Sequence, residues 1–162
     1  MADDISRQEK VWDHFCRLVE RKDLTIEREM TLEYELEHAA GTARLAQLIA
    51  AKRNLNSEAA FILGVLHDYG RILTGIKHDH ARIGSRYVKE YLIRSGYFSE
   101  NEIDSLVTAV ANHSLKDRKG SPLEELIKDA DVLDAYFSGR RSKKPEAEAR
   151  LQALFQEFNL VK

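Results

Sequence analysis

The sequence predicts an all-α protein: a single-domain bundle of about six to seven helices. Three observations lead there. The 162 residues contain only two prolines and eight glycines against many Glu, Lys, Arg, Leu and Ala, a composition that favours helix. Apolar residues recur at i, i+3, i+4 and i+7 along most of the chain. The one run that also fits a buried strand, Ala59 to Leu66, has no second strand to pair with.

Ile5 to Glu20 is the first predicted helix, with Trp12, Phe15, Cys16 and Val19 on one face. His14 lies off that stripe and is expected at the surface. Arg21 to Ile26 is a connection. Leu32 to Lys52 forms a long helix with His38, Gly41, Thr42, Leu45 and Ile49 along one face. Asn54 to Ser57 supplies N-cap chemistry, and a third helix runs from Ser57 to about Tyr69. It is apolar all round, so it is the central one. Its end delivers His67 and Asp68, and Gly70 terminates or bends it. After a short loop a fourth helix covers about Asp79 to Arg94, with His80 opening the stripe continued by Ile83, Gly84 and Tyr87. Ser99 and Glu102 form a capping box for a fifth helix that ends near His113. Ser121, Pro122 and Glu124 start a sixth, with Asp131 in the centre of its apolar stripe and Asp129 and Asp134 toward the edges. The basic segment Ser138 to Pro145 is expected to be a solvated linker before a last amphipathic helix, Glu146 to Asn159. Residues 34–137 then form the core, with 1–33 and 138–162 as terminal helices packing on it or on a partner, which would allow a homodimer.

Composition excludes several function classes. With 25 basic and 27 acidic residues there is no broad electrostatic footprint for nucleic acid or an anionic membrane. Cys16 is the only cysteine, so there is neither an internal disulfide nor a thiolate metal cage. The start, Met-Ala-Asp-Asp, lacks a secretory h-region, and no apolar run approaches the roughly 20 residues of a membrane span. A cytoplasmic, membrane-free protein is expected.

His38, His67, His80, His113, Asp68 and Asp131 each sit on, or at the end of, an apolar helical face. A single histidine on such a face is usually a satisfied core residue. Six polar groups on five helices have a common explanation in a metal site, where neutral imidazoles and ionised carboxylates belong in a core. An imidazole–carboxylate set suits Fe, Mn, Co, Ni or Zn, and six donors are enough for one or two ions. The element Glu35-x-x-His38 also matches a ferritin-like carboxylate motif, but it has no second copy.

The order His38 … His67-Asp68 … Asp131 resembles the HD-domain superfamily of metal-dependent phosphohydrolases. Leu66-His67-Asp68-Tyr69-Gly70-Arg71 is similar to its His-Asp-x-Gly-Lys pattern, with Arg in place of Lys. His80-Ala81-Arg82-Ile83-Gly84 resembles its His-x-x-x-Gly segment, and Asp129-Ala130-Asp131-Val132-Leu133-Asp134 its Asp-Ala-Asp-x-Leu-Asp segment. The similarity spans about Leu36 to Tyr136.

The resemblance implies a helical, HD-like bundle with Asp68 bridging two ions and the histidines and Asp131 completing their shells. It also implies hydrolysis of a phosphoester or phosphoanhydride of a nucleotide or small phosphorylated metabolite by metal-activated water. Arg71 is the expected phosphate clamp, since its planar fork bonds oxyanions bidentately. Lys77, Lys116 and Lys128 are weaker candidates, expected as surface charges. The Gly-Tyr-Pro motif of the cyclic di-GMP branch and the acidic pair of the guanosine-tetraphosphate branch are absent. Two alternatives share the pattern: a diiron oxygenase of the same superfamily, and a non-catalytic binding module, which usually loses ligands.

Overall fold

A computed structural model describes residues 5–22 and 26–160. The described residues form eight helices and no strand: α1 Arg7–Glu20, α2 Leu32–Arg53, α3 Ser57–Leu66, α4 Tyr69–Thr74, α5 His80–Ser95, α6 Glu100–Asn112, α7 Pro122–Phe137 and α8 Pro145–Glu157. The acidic start, and the centre of the connection expected at 21–26, lie outside the described residues.

Caps set most of these boundaries. Ser6 with Glu9, Ser99 with Glu102 and Ser121 with Glu124 are reciprocal capping boxes for α1, α6 and α7. Thr31 and Asn56 cap α2 and α3 by accepting from Tyr34 N and Ala59 N. Gly75 and Gly96, with φ of 75° and 71°, close α4 and α5 in the left-handed conformation that glycine tolerates best.

α3 is the central helix, as its all-round apolarity requires. It packs against α1, α2, α6 and α7, and Leu63, Val65 and Leu66 are buried. Val11 and Phe15 of α1 join Leu63, Leu66, Val88, Leu106 and Val110 in one part of the core. Leu151, Leu154 and Phe155 of α8 join Ile49, Leu126 and Ala130 in another. The terminal helices therefore bury their apolar faces against their own chain. Arg150 of α8 pairs with Asp129 at 2.8 Å and Glu125 at 2.9 Å, and Arg53 of α2 pairs with the same Asp129 at 2.8 Å.

Three expectations need correction. The third helix does not continue to Tyr69. It ends at Leu66, and Asp68 (φ −98°, ψ 20°) breaks the ladder before the short helix α4. Adjacent residues on an unbroken helix diverge by about 100°; the break lets His67 and Asp68 converge, Nε2 to Oδ2 at 3.5 Å. Gly70 does not terminate a helix. It lies within α4 where the chain crosses α5, and a Cβ there would meet His80 O at 2.1 Å and Gly84 N at 2.9 Å. His14 is not a free surface residue: its ring stacks on Tyr91 at 3.7 Å and its Nε2 lies 3.0 Å from Tyr69 Oη.

α2 also crosses α3 at close range. A Cβ on Gly64 would meet Ala43 Cα at 2.4 Å and Ala43 N at 2.6 Å, so backbone faces backbone with no flexible atom to yield. Gly64→Ala should cost about 1–3 kcal/mol or more through overpacking, read as a lowered denaturant midpoint.

Candidate metal centre

All six predicted ligands converge on one point. His38 comes from α2, His67 and Asp68 from the α3–α4 break, His80 from the first turn of α5, His113 from the C-terminus of α6 and Asp131 from the middle of α7. The four imidazoles and Asp68 are buried.

The donors fall into two groups that share Asp68. On one side, His38 Nε2 and His67 Nε2 lie 3.2 Å apart, and each is 3.5 Å from Asp68 Oδ2. Asp131 Oδ1 completes this group, 3.2 Å from His38 Nε2. On the other side, His80 Nε2 and His113 Nε2 lie 3.0 Å apart, at 3.0 and 3.2 Å from Asp68 Oδ1.

The outward nitrogens decide what these groups can be. His67 Nδ1 donates to Gly64 O at 2.7 Å, His80 Nδ1 to Lys77 O at 2.6 Å and His113 Nδ1 to Val110 O at 2.8 Å. His38 Nδ1 donates to Asp134 Oδ2 at 2.6 Å. A neutral imidazole that donates from Nδ1 presents a lone pair at Nε2. Four lone pairs and three carboxylate oxygens thus face one another in a buried space. Asp68 Oδ1 accepts no hydrogen bond although two imidazole nitrogens lie near it. That arrangement is repulsive unless cations lie between the donors. Donor separations of 3.0–4.0 Å also suit ligands around a metal at bond lengths of about 2.1 Å. The residues present therefore fit a divalent metal.

The electrostatics agree. Burial opposes ionisation of Asp68, yet the neighbouring His67, His113 and His80 outweigh it and hold the carboxyl well below its usual range. Asp131 is likewise held down against burial, by Lys116 and His38. Burial pushes His67 down to about 3, so it is neutral and free to ligate. His38 moves the other way, because Asp131 and Asp134 outweigh its burial. The site attracts positive charge, and a metal ion would satisfy that demand while leaving the imidazoles neutral.

Around the centre the structure redistributes the cations. Arg71 lines the cleft over the cluster, held by Glu35 at 2.8 Å and Asp68 at 3.3 Å. Lys116 also lines it, donating to His113 O at 2.8 Å and pairing with Asp131. Lys77 lines the cleft as well. Lys128 does not: it is buried, donating to Arg118 O at 2.7 Å and Glu125 at 3.1 Å, and it anchors a loop. The basic segment after α7 is exposed, as expected of a linker, and its Arg140, Arg141, Ser142 and Lys144 also line the same cleft of about 670 Å³.

Sequence reasoning missed three supporting residues. Asp134 fixes the His38 tautomer; its spacing of i+3 from Asp131 on α7 was the available signal. Gly41 makes that contact possible, since a Cβ there would lie 2.0 Å from Asp134 Oδ1. Glu35 is buried and pairs with Arg71 rather than joining the ligand cluster, so the ferritin-like match is coincidental.

The family model for the HD domain matches residues 36–136. The chain belongs to the HD-domain family. Ribonuclease Y of Chlorobium chlorochromatii is 31% identical over 106 residues, 65% of this chain but 18% of that protein. Ribonuclease Y 2 of Levilactobacillus brevis is 31% identical over 110 residues, 67% of this chain and 19% of its own. The chain thus spans about a fifth of the length of these relatives. Among solved structures, a predicted HD superfamily hydrolase from an uncultured Thermotogales bacterium superposes with a TM-score of 0.64 at 20% identity, covering 98% of this chain and 92% of that one. It shares the fold. Family membership with an intact ligand constellation supports a metal-dependent hydrolase, the enzyme class the sequence implied. No helix among the described residues is long and apolar enough to cross a membrane.

Two substitutions separate ligation from folding. Asp134→Asn should weaken metal affinity about 10- to 100-fold while leaving helix content intact, as measured by metal titration and circular dichroism. Gly41→Ala should reproduce that loss by displacing the Asp134 carboxylate; unchanged affinity in both variants would remove Asp134 from the metal centre.

Proposed function

We propose that the chain is a two-ion phosphohydrolase acting on a nucleotide or related phosphate ester. The observation that carries the reading is the shared carboxylate: Asp68 turns Oδ2 to the His38–His67 group and Oδ1 to the His80–His113 group. His38, His67, Asp68 and Asp131 would hold one ion, and Asp68, His80 and His113 the other. Divalent ions in such a pair supply hydroxide at neutral pH and neutralise charge on a phosphoryl group. The donor set leaves Fe, Mn, Co, Ni and Zn open.

The chain's own residues provide the rest. Arg71 lines the cleft with its guanidinium fixed by Glu35 and Asp68, a preorganised donor for a phosphoryl oxygen. Glu35 is a positioning residue: burial raises its pKa against the pull of Arg71, and its Oε1 holds Arg71 Nη2. Lys116 screens Asp131 and adds positive charge at the floor of the cleft. The partial similarity to ribonuclease Y brings phosphodiesters into the candidate range beside monoesters and anhydrides.

Elemental analysis followed by a screen of mononucleotides, dinucleotides and short RNA tests the reading. Turnover under anaerobic conditions with Zn or Mn is expected. Oxygen-dependent turnover with iron alone would assign the diiron oxygenase instead, and a full metal complement with no phosphate ester cleaved would overturn the proposal. Arg71→Ala should retain metal while kcat falls about 10²- to 10³-fold; loss of metal would make Arg71 structural. Asp68→Ala should lose both ions and activity.

A further inference from the structure

The metal cluster and Arg71 account for only one end of the cleft. Toward its mouth the lining is rich in Lys and Arg, although the whole chain carries a formal net charge of −2. Most of these cations are already committed. Arg71 pairs with Glu35 and Asp68, Lys116 with Asp131, Arg82 with Asp79 and Arg141 with Glu148. Arg140, Lys144 and Lys77 have no carboxylate within ion-pair distance among the described residues, and all three line the cleft. Arg140 lies on the face of Tyr34, 3.9 Å from the ring centroid, and Tyr34 stacks at 5.6 Å on His38, within the cluster. Its Nη1 also donates to Met30 Sδ at 3.6 Å, and one aromatic ring separates this guanidinium, which has no acidic partner among the described residues, from a candidate ligand.

Resting on the phosphohydrolase reading, we propose that Arg140 and Lys144, with Lys77 from the α4–α5 connection, form a second phosphate subsite, and that the substrate carries a phosphate beyond the one at the metal centre. Guanidinium and ammonium groups without acidic partners bind phosphate oxygens directly, with no internal ion pair to break. Tyr34, half-buried on the cleft wall, stacks on His38 and carries Arg140 on its ring, so it holds that guanidinium beside the metal centre. The cleft volume, about 670 Å³, is within the range of small-molecule sites and exceeds what one phosphate fills. The second phosphate has two chemical sources: the next internucleotide linkage of a short oligonucleotide, or a further phosphate on a mononucleotide.

The test is equilibrium binding by calorimetry to the full, metal-loaded chain in three arms. The probes are adenosine 5′-monophosphorothioate, adenosine 5′-O-(2-thiodiphosphate) and a 5′-phosphorylated phosphorothioate dinucleotide. At least one two-phosphate probe should bind about tenfold or more tighter than the monophosphorothioate, and the probe that does so names the source. In R140A/K144A this preference should fall to within about twofold, and raised salt should erode it in the wild type. Arg140→Lys in the Lys144 wild-type background should restore part of it. Both substituted side chains are exposed, so unfolding midpoint and metal content serve as controls for an intact fold. Equal affinity for all three probes in the wild type, or a preference unchanged in R140A/K144A, would overturn the subsite while leaving the phosphohydrolase reading standing if phosphate-ester turnover persists. Absence of turnover on any phosphate ester at full metal occupancy would overturn that reading itself.

Discussion

Four hydrogen bonds from imidazole Nδ1 atoms govern the rest of this molecule. Gly64 O, Lys77 O, Val110 O and Asp134 take the outward protons of His67, His80, His113 and His38. Each bond fixes a tautomer and turns the opposite nitrogen inward as a lone pair. Three acceptors are backbone carbonyls three residues before their histidine. Two of these histidines follow the ends of α3 and α6, where the last carbonyls lack intrahelical partners. The termini thus supply the acceptors, and the rings that satisfy them become oriented donors. A cation bound among these facing donors would relieve their repulsion and so stabilise the fold.

The helical scaffold follows from the need to deliver these groups together. α3 is buried from Ile62 to Leu66, which fixes the position of its C-terminal end within the core. The break at Asp68 converts two adjacent residues that would diverge into two that converge. Gly70 and Gly84 let α4 lie directly on α5, bringing His80 to Asp68. Gly64 does the same for α3 on α2, bringing His67 to His38. Small residues at crossings set the approach distance, and the approach distance sets the site. The terminal helices contribute from further out. Arg150 of α8 donates to Lys116 O at 2.9 Å, steadying the loop whose lysine pairs with Asp131.

The cleft combines an acidic floor with a basic mouth. Asp68 and Asp131 hold negative charge at the floor, a demand that divalent cations would answer. Toward solvent, committed and uncommitted cations face the same opening. Overall charge near neutrality conceals this separation, because the summed count averages over two regions of opposite sign. The potential a ligand meets is that of the cleft.

Periodicity in the sequence determined the all-helical class, the central position of α3 and the identity of the six clustered residues. The reason is that a polar side chain on an apolar helical face needs a partner, and this need is visible one helix at a time. Capping boxes at Ser99 and Ser121 marked helix starts because their chemistry is local. Tertiary structure alone decided what depends on side chains from distant segments. Asp134 reaches His38 across 96 positions, and Glu35 holds Arg71 from another helix. The segment after α7 reads as a linker and is exposed like one; only the fold shows that it runs along the cleft and sets Arg140 against Tyr34. The sequence determined which groups had to be satisfied; packing decided which groups satisfy them and which cations remain for a ligand.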